Sequence, residues 1–350
     1  MPIQKADLDA MVVSDWKFLL KSFPRFITFY LEMNKNLKDL SIDSNRNEYL
    51  FGWMFYATKA TSLFSIQYHK ELFEIDGVKV NIAEASSYVK SISLILDILV
   101  DDIGDKYQGI NSILILDCIK NIIKQQSQKN IQVLNAKEVS YINFFEKVYN
   151  YLLSLISFNN DKDLILILTQ SYLDLIDACK LSHQINYSIN NNDYAQAKKY
   201  SDRAFKTKSL DNKMHVKINT VIDLFFVKKT FTLDKDISRF SKVAFYLQRV
   251  SRLSNDLSTW EREVWSNDFT STIARLLIFK YGVRNFSQEI DEKLYLKVKE
   301  DFSKTYKTNL KNLINLKSTF YKEYPWFNFD ELIERYIAGL VLHIQAIGKI

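Results

Sequence analysis

Two groups of oxygen-bearing side chains, about 150 residues apart, carry the chemistry this chain is equipped for. In the run LILDILVDDIGDKY, Asp97, Asp101 and Asp105 follow one another at four-residue spacing with Asp102 beside them. In RLSNDLSTWEREV, Asn255, Thr259 and Glu263 repeat that spacing. A helix turns by about 100° per residue, so each set forms one stripe on one face. The donors are carboxylate, amide and hydroxyl oxygens, the hard ligands that Mg²⁺ takes while keeping waters and sharing phosphate oxygens. Like charges at this spacing repel one another. Acids delivered from a run as apolar as Ile92 to Val100 therefore need compensation, and a bound cation supplies it.

The elements that must position these stripes read as helices. The chain of 350 residues has only seven Gly and three Pro, too few for the tight turns of sheet or nucleotide-binding α/β folds. Helical spacing is expected over residues 9 to 33 with a break at Pro24, over Asn45 to Lys70, and from Ile82 to Val100 into the first motif. It continues over Asn111 to Gln126, Val139 to Phe158 and Leu164 to Asn186, the last two as an antiparallel pair. Further helices are expected from Tyr194, over Lys217 to Phe231, over Ser238 to Glu263 into the second motif, and over three later segments. Glu74 to Val78 reads as a turn and residues 127 to 137 as a polar loop. This is an all-α chain, expected to be one domain over residues 1–350.

Composition narrows the function classes. A net charge of +6 with scattered Lys and Arg forms no basic stripe, so nucleic acid is not an expected partner. No window approaches ~18 uninterrupted apolar residues, so no membrane span is expected. Cys118 and Cys179 read as buried thiols, and the amino terminus lacks a signal-peptide pattern; a cytoplasmic location is the expectation. The four His show no metal-ligand spacing.

The two motifs, in this order on an all-α chain of this length, resemble the aspartate-rich and Asn/Ser-Thr/Glu motifs of class I terpene synthases. The second carries most of the resemblance: Arg252-Leu253-Ser254-Asn255-Asp256-Leu257 matches the lead-in, and Arg262 stands before the final Glu, where the family has Lys or Arg. The resemblance implies a helical bundle around a central apolar cavity. Three Mg²⁺ would hold a prenyl diphosphate at its mouth, with Asp101, Asp105, Asn255, Thr259 and Glu263 as ligands and Asp102 assisting. Ionisation would release pyrophosphate and leave a carbocation to cyclise. The diphosphate would meet Arg252, Arg262 and a pyrophosphate-sensing basic residue. The family's position for that residue falls on Ser209, so Arg203, Lys206 or Lys208 could serve in its place. Arg335-Tyr336 either is the family's carboxyl-terminal Arg-Tyr pair or belongs to a segment that precedes it. Trp53, Phe55, Tyr56 and Trp260 are candidates for the cavity wall, where ring faces stabilise cations. The Trp-Glu-Arg-Glu ending looks more like bacterial diterpene synthases, so a C20 diphosphate, geranylgeranyl or bicyclic copalyl-type, is favoured over C15; a homodimer is allowed for.

Two other readings compete. A chain-elongating or squalene-synthase-like prenyltransferase would carry two aspartate-rich motifs, and here Asn255 stands where the second would begin. A non-catalytic helical binding protein would have no use for acids on apolar helices.

Overall fold

In the computed structural model, residues 5–42, 48–107, 109–126, 131–227, 233–286, 290–320 and 324–345 are described. Among them, helices joined by short connections dominate, with an isolated bridge between Tyr324 and Phe327 and one hairpin. Its strands, β1 (Leu72–Ile75) and β2 (Val78–Asn81), pair antiparallel, with Leu72 opposite Asn81 and Ile75 opposite Val78. Asp76 and Gly77 turn the corner with φ of 53° and 76°, the left-handed pair of a two-residue hairpin loop. The turn was legible as Glu74 to Val78. The flanking strands were not, because four residues are too few to show an alternation.

The helix between the hairpin and the first motif organises the rest. This helix, α4 (Ile82–Asp105), starts in a capping box: the Glu84 amide donates to Asn81 Oδ1 at 2.8 Å and the Asn81 amide to Glu84 Oε2 at 3.2 Å. Almost every side chain from Ile82 to Gly104 is buried, the apolar majority together with Ser86, Ser87, Lys90, Ser91, Ser93 and Asp102. Preceding it are α1 (Lys5–Ser22), α2 (Pro24–Asp39) and α3 (Glu48–Ala60). Following it are α5 (Ser112–Ile123), α6 (Ala136–Ile156), α7 (Lys162–Asn190), α8 (Tyr194–Thr207) and α9 (Val216–Phe226). Helices α2, α3, α5, α6, α7 and α9 all pack on α4. Helices α6 and α7 meet each other through Tyr149 and Tyr172, edge to face with ring centroids 5.7 Å apart.

The second motif lies on α10 (Leu233–Trp265). Beyond it, α11 (Thr272–Arg275) runs into a π-helical turn over Leu276–Lys280, and α12 (Glu292–Asn315) and α13 (Phe329–Gln345) close against α10. Helix α4 ends inside the first acidic motif, at Asp105, as expected. Other boundaries differ from expectation. Only Glu48–Ala60 of the stretch from Asn45 to Lys70 is α-helical, with a 3₁₀ turn at Ile66–Lys70. Within the expected loop 127 to 137, residues 127–130 lie outside the described residues, while Ile131–Val133 form a 3₁₀ turn and Ala136 opens α6. Among the described residues no helix is long and apolar enough to cross a membrane.

Candidate functional site

The last two turns of α4 set the first stripe against α7. Gly104 makes the approach possible: a Cβ there would lie 3.0 Å from both Cβ and the carbonyl oxygen of Cys179. With α7 this close, Ser182 Oγ donates to Asp105 Oδ1 at 2.7 Å, and Cys179 Sγ lies 3.9 Å from Asp101 Oδ1. The cation facing both acids is Lys213, whose Nζ is 3.0 Å from Asp101 Oδ1 and 2.6 Å from Asp105 Oδ2. It also donates to Ser182 Oγ at 3.2 Å. Burial alone would lower the Lys213 pKa, but Asp101 and then Asp105 outweigh it and hold the ammonium well above its ordinary value. Burial pushes Asp105 upward in spite of Lys213, and Asp101 and Asp268 add to the push. Acid outnumbers base here.

One turn deeper, Asp97 Oδ1 lies 3.4 Å from His215 Nδ1. His215 is buried, its Nε2 is 2.7 Å from Ser93 Oγ, and Ser93 in turn meets the Tyr172 hydroxyl at 2.5 Å. Asp102 faces the other way. Its buried carboxylate pairs with Lys106 at 3.0 Å and approaches α6, where after burial it is the next cause that pushes Tyr141 up.

On α10 the three side chains of the second stripe meet as their spacing requires, Asn255 through its amide nitrogen. The Thr259 hydroxyl donates to Glu263 Oε1 at 2.6 Å, and Asn255 Nδ2 lies 3.2 Å from Thr259 Oγ1 and 3.4 Å from Glu263 Oε1. The other oxygen of Glu263, Oε2, is buried with no hydrogen-bond partner. Burial, then Asp268, pushes Glu263 up to about 7. Asp268 therefore acts on both stripes. It is fixed at Oδ1 by Asn186 Nδ2 at 3.1 Å and by the amide and hydroxyl of Thr270 at 3.0 and 2.7 Å.

Behind the second stripe lies a buried basic group. Arg252 Nε meets Asp256 Oδ1 at 2.8 Å, while Asp256 Oδ2 accepts from the Thr272 amide at 2.7 Å. Arg249 Nη1 donates to Asp211 Oδ1 at 2.6 Å. Arg275 is pulled down to about 10 by burial, with Arg252 and Arg249 adding to the fall. Arg252 Nη2 and Arg275 Nε are buried without hydrogen-bond partners. Lys208 feels the same group: its pKa is lowered by burial and then by Arg249. The four cations, Lys208, Arg249, Arg252 and Arg275, stand among the acids Asp211, Asp256, Glu263 and Asp268, the four that hold Arg252 above its ordinary value.

The remaining expected residues are dispersed. Of the three candidates for the sensing residue, Arg203 and Lys206 are exposed on α8, and Lys208 lays its ammonium over the Phe205 ring, 4.5 Å from the centroid, within electrostatic reach of Arg249. Arg262 is exposed beside Glu263. Arg335 donates to the carbonyls of Ala60 and Phe64 at 3.0 and 2.8 Å, closing the end of α3, while the Tyr336 hydroxyl reaches Ser251 on α10 at 2.6 Å. The two do not act at one place. Trp53 packs with Val12 and Tyr56, and Phe55 with Phe18, in the contact of α3 with α1. That contact touches α4 at Lys90, whose Nζ donates to Thr58 O at 3.2 Å, roughly 16 Å along the axis from Asp101 at 1.5 Å per residue. Trp260 is half-buried between the apolar clusters that flank α10. A surface depression lined by Asp291, Glu292, Lys293, Leu296, Lys297 and Glu300 opens on α12, away from both stripes.

Lys213, Asp268, Ser182, Arg249 and Arg275 were not singled out by the sequence. Arg249 was within reach, since it precedes Arg252 by one turn on the same helix. The others come from segments whose approach depends on tertiary packing.

Among the described residues no three His, Cys, Asp or Glu side chains are drawn together as a ready-made metal site. The donors on offer are mixed, with amide and hydroxyl oxygens beside carboxylates. That set suits Mg²⁺, and the partnerless Glu263 Oε2 supplies an oxygen with no competing donor. Neither protein-family models nor curated proteins match the chain.

Proposed function

We propose that this chain is a class I terpene synthase, a single α-helical domain that ionises a prenyl diphosphate with Mg²⁺ and cyclises the resulting carbocation. The observation that carries the reading is the convergence of Asn255, Thr259 and Glu263 on one point, with an orphaned carboxylate oxygen there and buried guanidinium groups of Arg252 and Arg275 behind it that keep N–H donors without a hydrogen-bond partner. Asp101 and Asp105 present a second oxygen set, linked to the first through Asp268.

In this reading Asp101, Asp105, Asn255, Thr259 and Glu263 would hold the metal, and Arg252, Arg275 and Lys208 would neutralise the diphosphate. Bound Mg²⁺ would supply the charge that draws off the leaving group. The protein's own part is to orient the diphosphate and exclude water from the cation. The C20 substrate, geranylgeranyl or copalyl-type, remains the favoured class, on the sequence of the second motif.

A second reading has one observation in its favour. Lys213 bonds both Asp101 and Asp105, which a non-catalytic helical protein would also accommodate as a buried ion pair. Incubation of the purified chain with Mg²⁺ and C10, C15, C20, C25 and copalyl-type diphosphates, followed by mass spectrometry of the extract, separates the two. A Mg²⁺-dependent terpene product from at least one substrate is expected. Intact diphosphate in every incubation refutes the enzyme.

A further inference from the structure

The acids of α4 already hold a cation, and the arginines of α10 already hold an anion, both from one short stretch. Residues Ser209–Met214 form a 3₁₀ segment between Lys208 and His215, each with φ of 56°. Neither is glycine, so each end of the segment sits in a left-handed conformation that costs energy and must be enforced by its surroundings. Gln248 Nε2 donates to Asn212 Oδ1 at 2.8 Å and His215 is held to Ser93 Oγ at 2.7 Å; two ion pairs tie the segment to the two charged groups. Lys213 bridges Asp101 and Asp105, and Asp211 meets Arg249. The stretch is therefore a strap with an ammonium on the acidic stripe and a carboxylate on the basic group.

We infer that this strap is an internal stand-in for the ligand: Lys213 takes the place of a divalent cation, Asp211 that of an anion, and loading the site displaces both. The inference rests on the reading of the acids as metal ligands, and it adds that metal binding in this chain competes against a residue of its own. The physical reason is charge. Two neighbouring carboxylates on a buried helix end cannot stay ionised without compensation, so Lys213 lets the chain fold without metal. A divalent ion at the same oxygens would repel the ammonium at close range, and the amine must then swing out. Since Lys213 and Asp211 are two residues apart on a segment with strained ends, release of one loosens the other. The metal-free protein is held shut, and the apparent metal affinity is lowered by the work of opening the strap.

The test uses Mn²⁺ as the probe, with free Mn²⁺ read by electron paramagnetic resonance and thermal stability read alongside. Lys213→Met should bind Mn²⁺ at least tenfold more tightly than the wild type. Its melting temperature, lowered without metal, should recover on addition of Mn²⁺. Lys213→Arg keeps the cation and should show no such gain. In the wild type, Mn²⁺ alone should speed amide exchange over residues 209–214, a readout that holds even if Lys213→Met does not fold. Unchanged or weaker Mn²⁺ binding by folded Lys213→Met overturns the inference, as does unchanged or slowed exchange in the strap. The outcomes separate from those for the enzyme: a wild type that turns over prenyl diphosphate while Lys213→Met gains nothing sinks the strap alone. A gain in Mn²⁺ affinity without turnover by any form sinks the terpene synthase reading alone.

Discussion

Helix α4 carries a buried lysine–aspartate contact near each end, and the two are built differently. Near the start, Lys90 Nζ lies 2.5 Å from Asp223 Oδ1 and also donates to Thr58 O. Asp223 in turn accepts from the Leu63 amide at 2.9 Å and from Ser86 Oγ at 2.7 Å. One cation meets one anion, and both carboxylate oxygens of Asp223 accept a further hydrogen bond. At the far end one lysine faces two aspartates, with a third acid, Asp268, acting on Lys213 and Asp105 and a buried Glu263 oxygen left without a partner. A balanced pair is what a fold uses to settle polar groups in its core. An unbalanced one, with strained backbone on either side of its lysine, is what a binding site looks like before its ligand arrives.

The largest expected effect separates these two ends. Asp101→Ala should lower turnover on the order of 10³-fold, equivalent to ~4 kcal/mol, yet leave the melting temperature nearly unchanged because acid is in excess there. Steady-state kinetics and calorimetry on the same sample check it; a large loss of stability with retained activity would erase the contrast.

Asp223→Ala should do the reverse. It strands the Lys90 ammonium and the Leu63 amide in the core, and breaking a buried pair from one side costs about 3–5 kcal/mol. Urea unfolding measures this, and a loss below about 1 kcal/mol would show that the pair is not structural.

Acid titration sharpens the comparison further. Glu263 has an ordinary value of 4.5 and is raised to about 7 in the fold. The native state therefore binds this proton more tightly than the unfolded state. Its stabilising contribution is complete below pH 4.5 and fades as pH rises to 7. Metal-free Glu263→Gln should lack that decline, and Mg²⁺ should offset it in the wild type, because the metal binds the ionised carboxylate. Thermal melts across pH 4 to 8 decide it; parallel profiles for both proteins would mean that Glu263 is not the group responsible.

The smallest effect concerns neighbours of unequal role. Asp102, paired with Lys106 and turned toward α6, should tolerate Asn with a turnover change of about 10-fold or less, far short of Asp101→Ala. An equal collapse would place Asp102 among the ligands.

What was legible in the sequence follows from range. The helices of α4 and α10 and both stripes depend on residues within two or three turns, so spacing alone placed Asp101 with Asp105 and Asn255 with Thr259 and Glu263. The hairpin strands were too short for their period to register. Lys213 and Asp268 reach the site through the left-handed corner at His215 and the turn after Trp265, where local pattern carries no direction. Trp53, Phe55 and Tyr56 show the converse error: aromatic residues at helical spacing mark a buried face, and here that face meets α1 and not the acids. Arg335 lies at the right count along the chain, yet it serves the end of α3.

The central claim is that the oxygen stripes and the arginine group form one site for a metal–diphosphate ligand. Calorimetric titration of pyrophosphate into the protein with and without Mg²⁺ tests it directly. Strong binding with Mg²⁺ present, and at least a 100-fold loss without it or in Glu263→Gln, is the predicted result. Pyrophosphate affinity that is absent, or indifferent to Mg²⁺ and to Glu263, would contradict it.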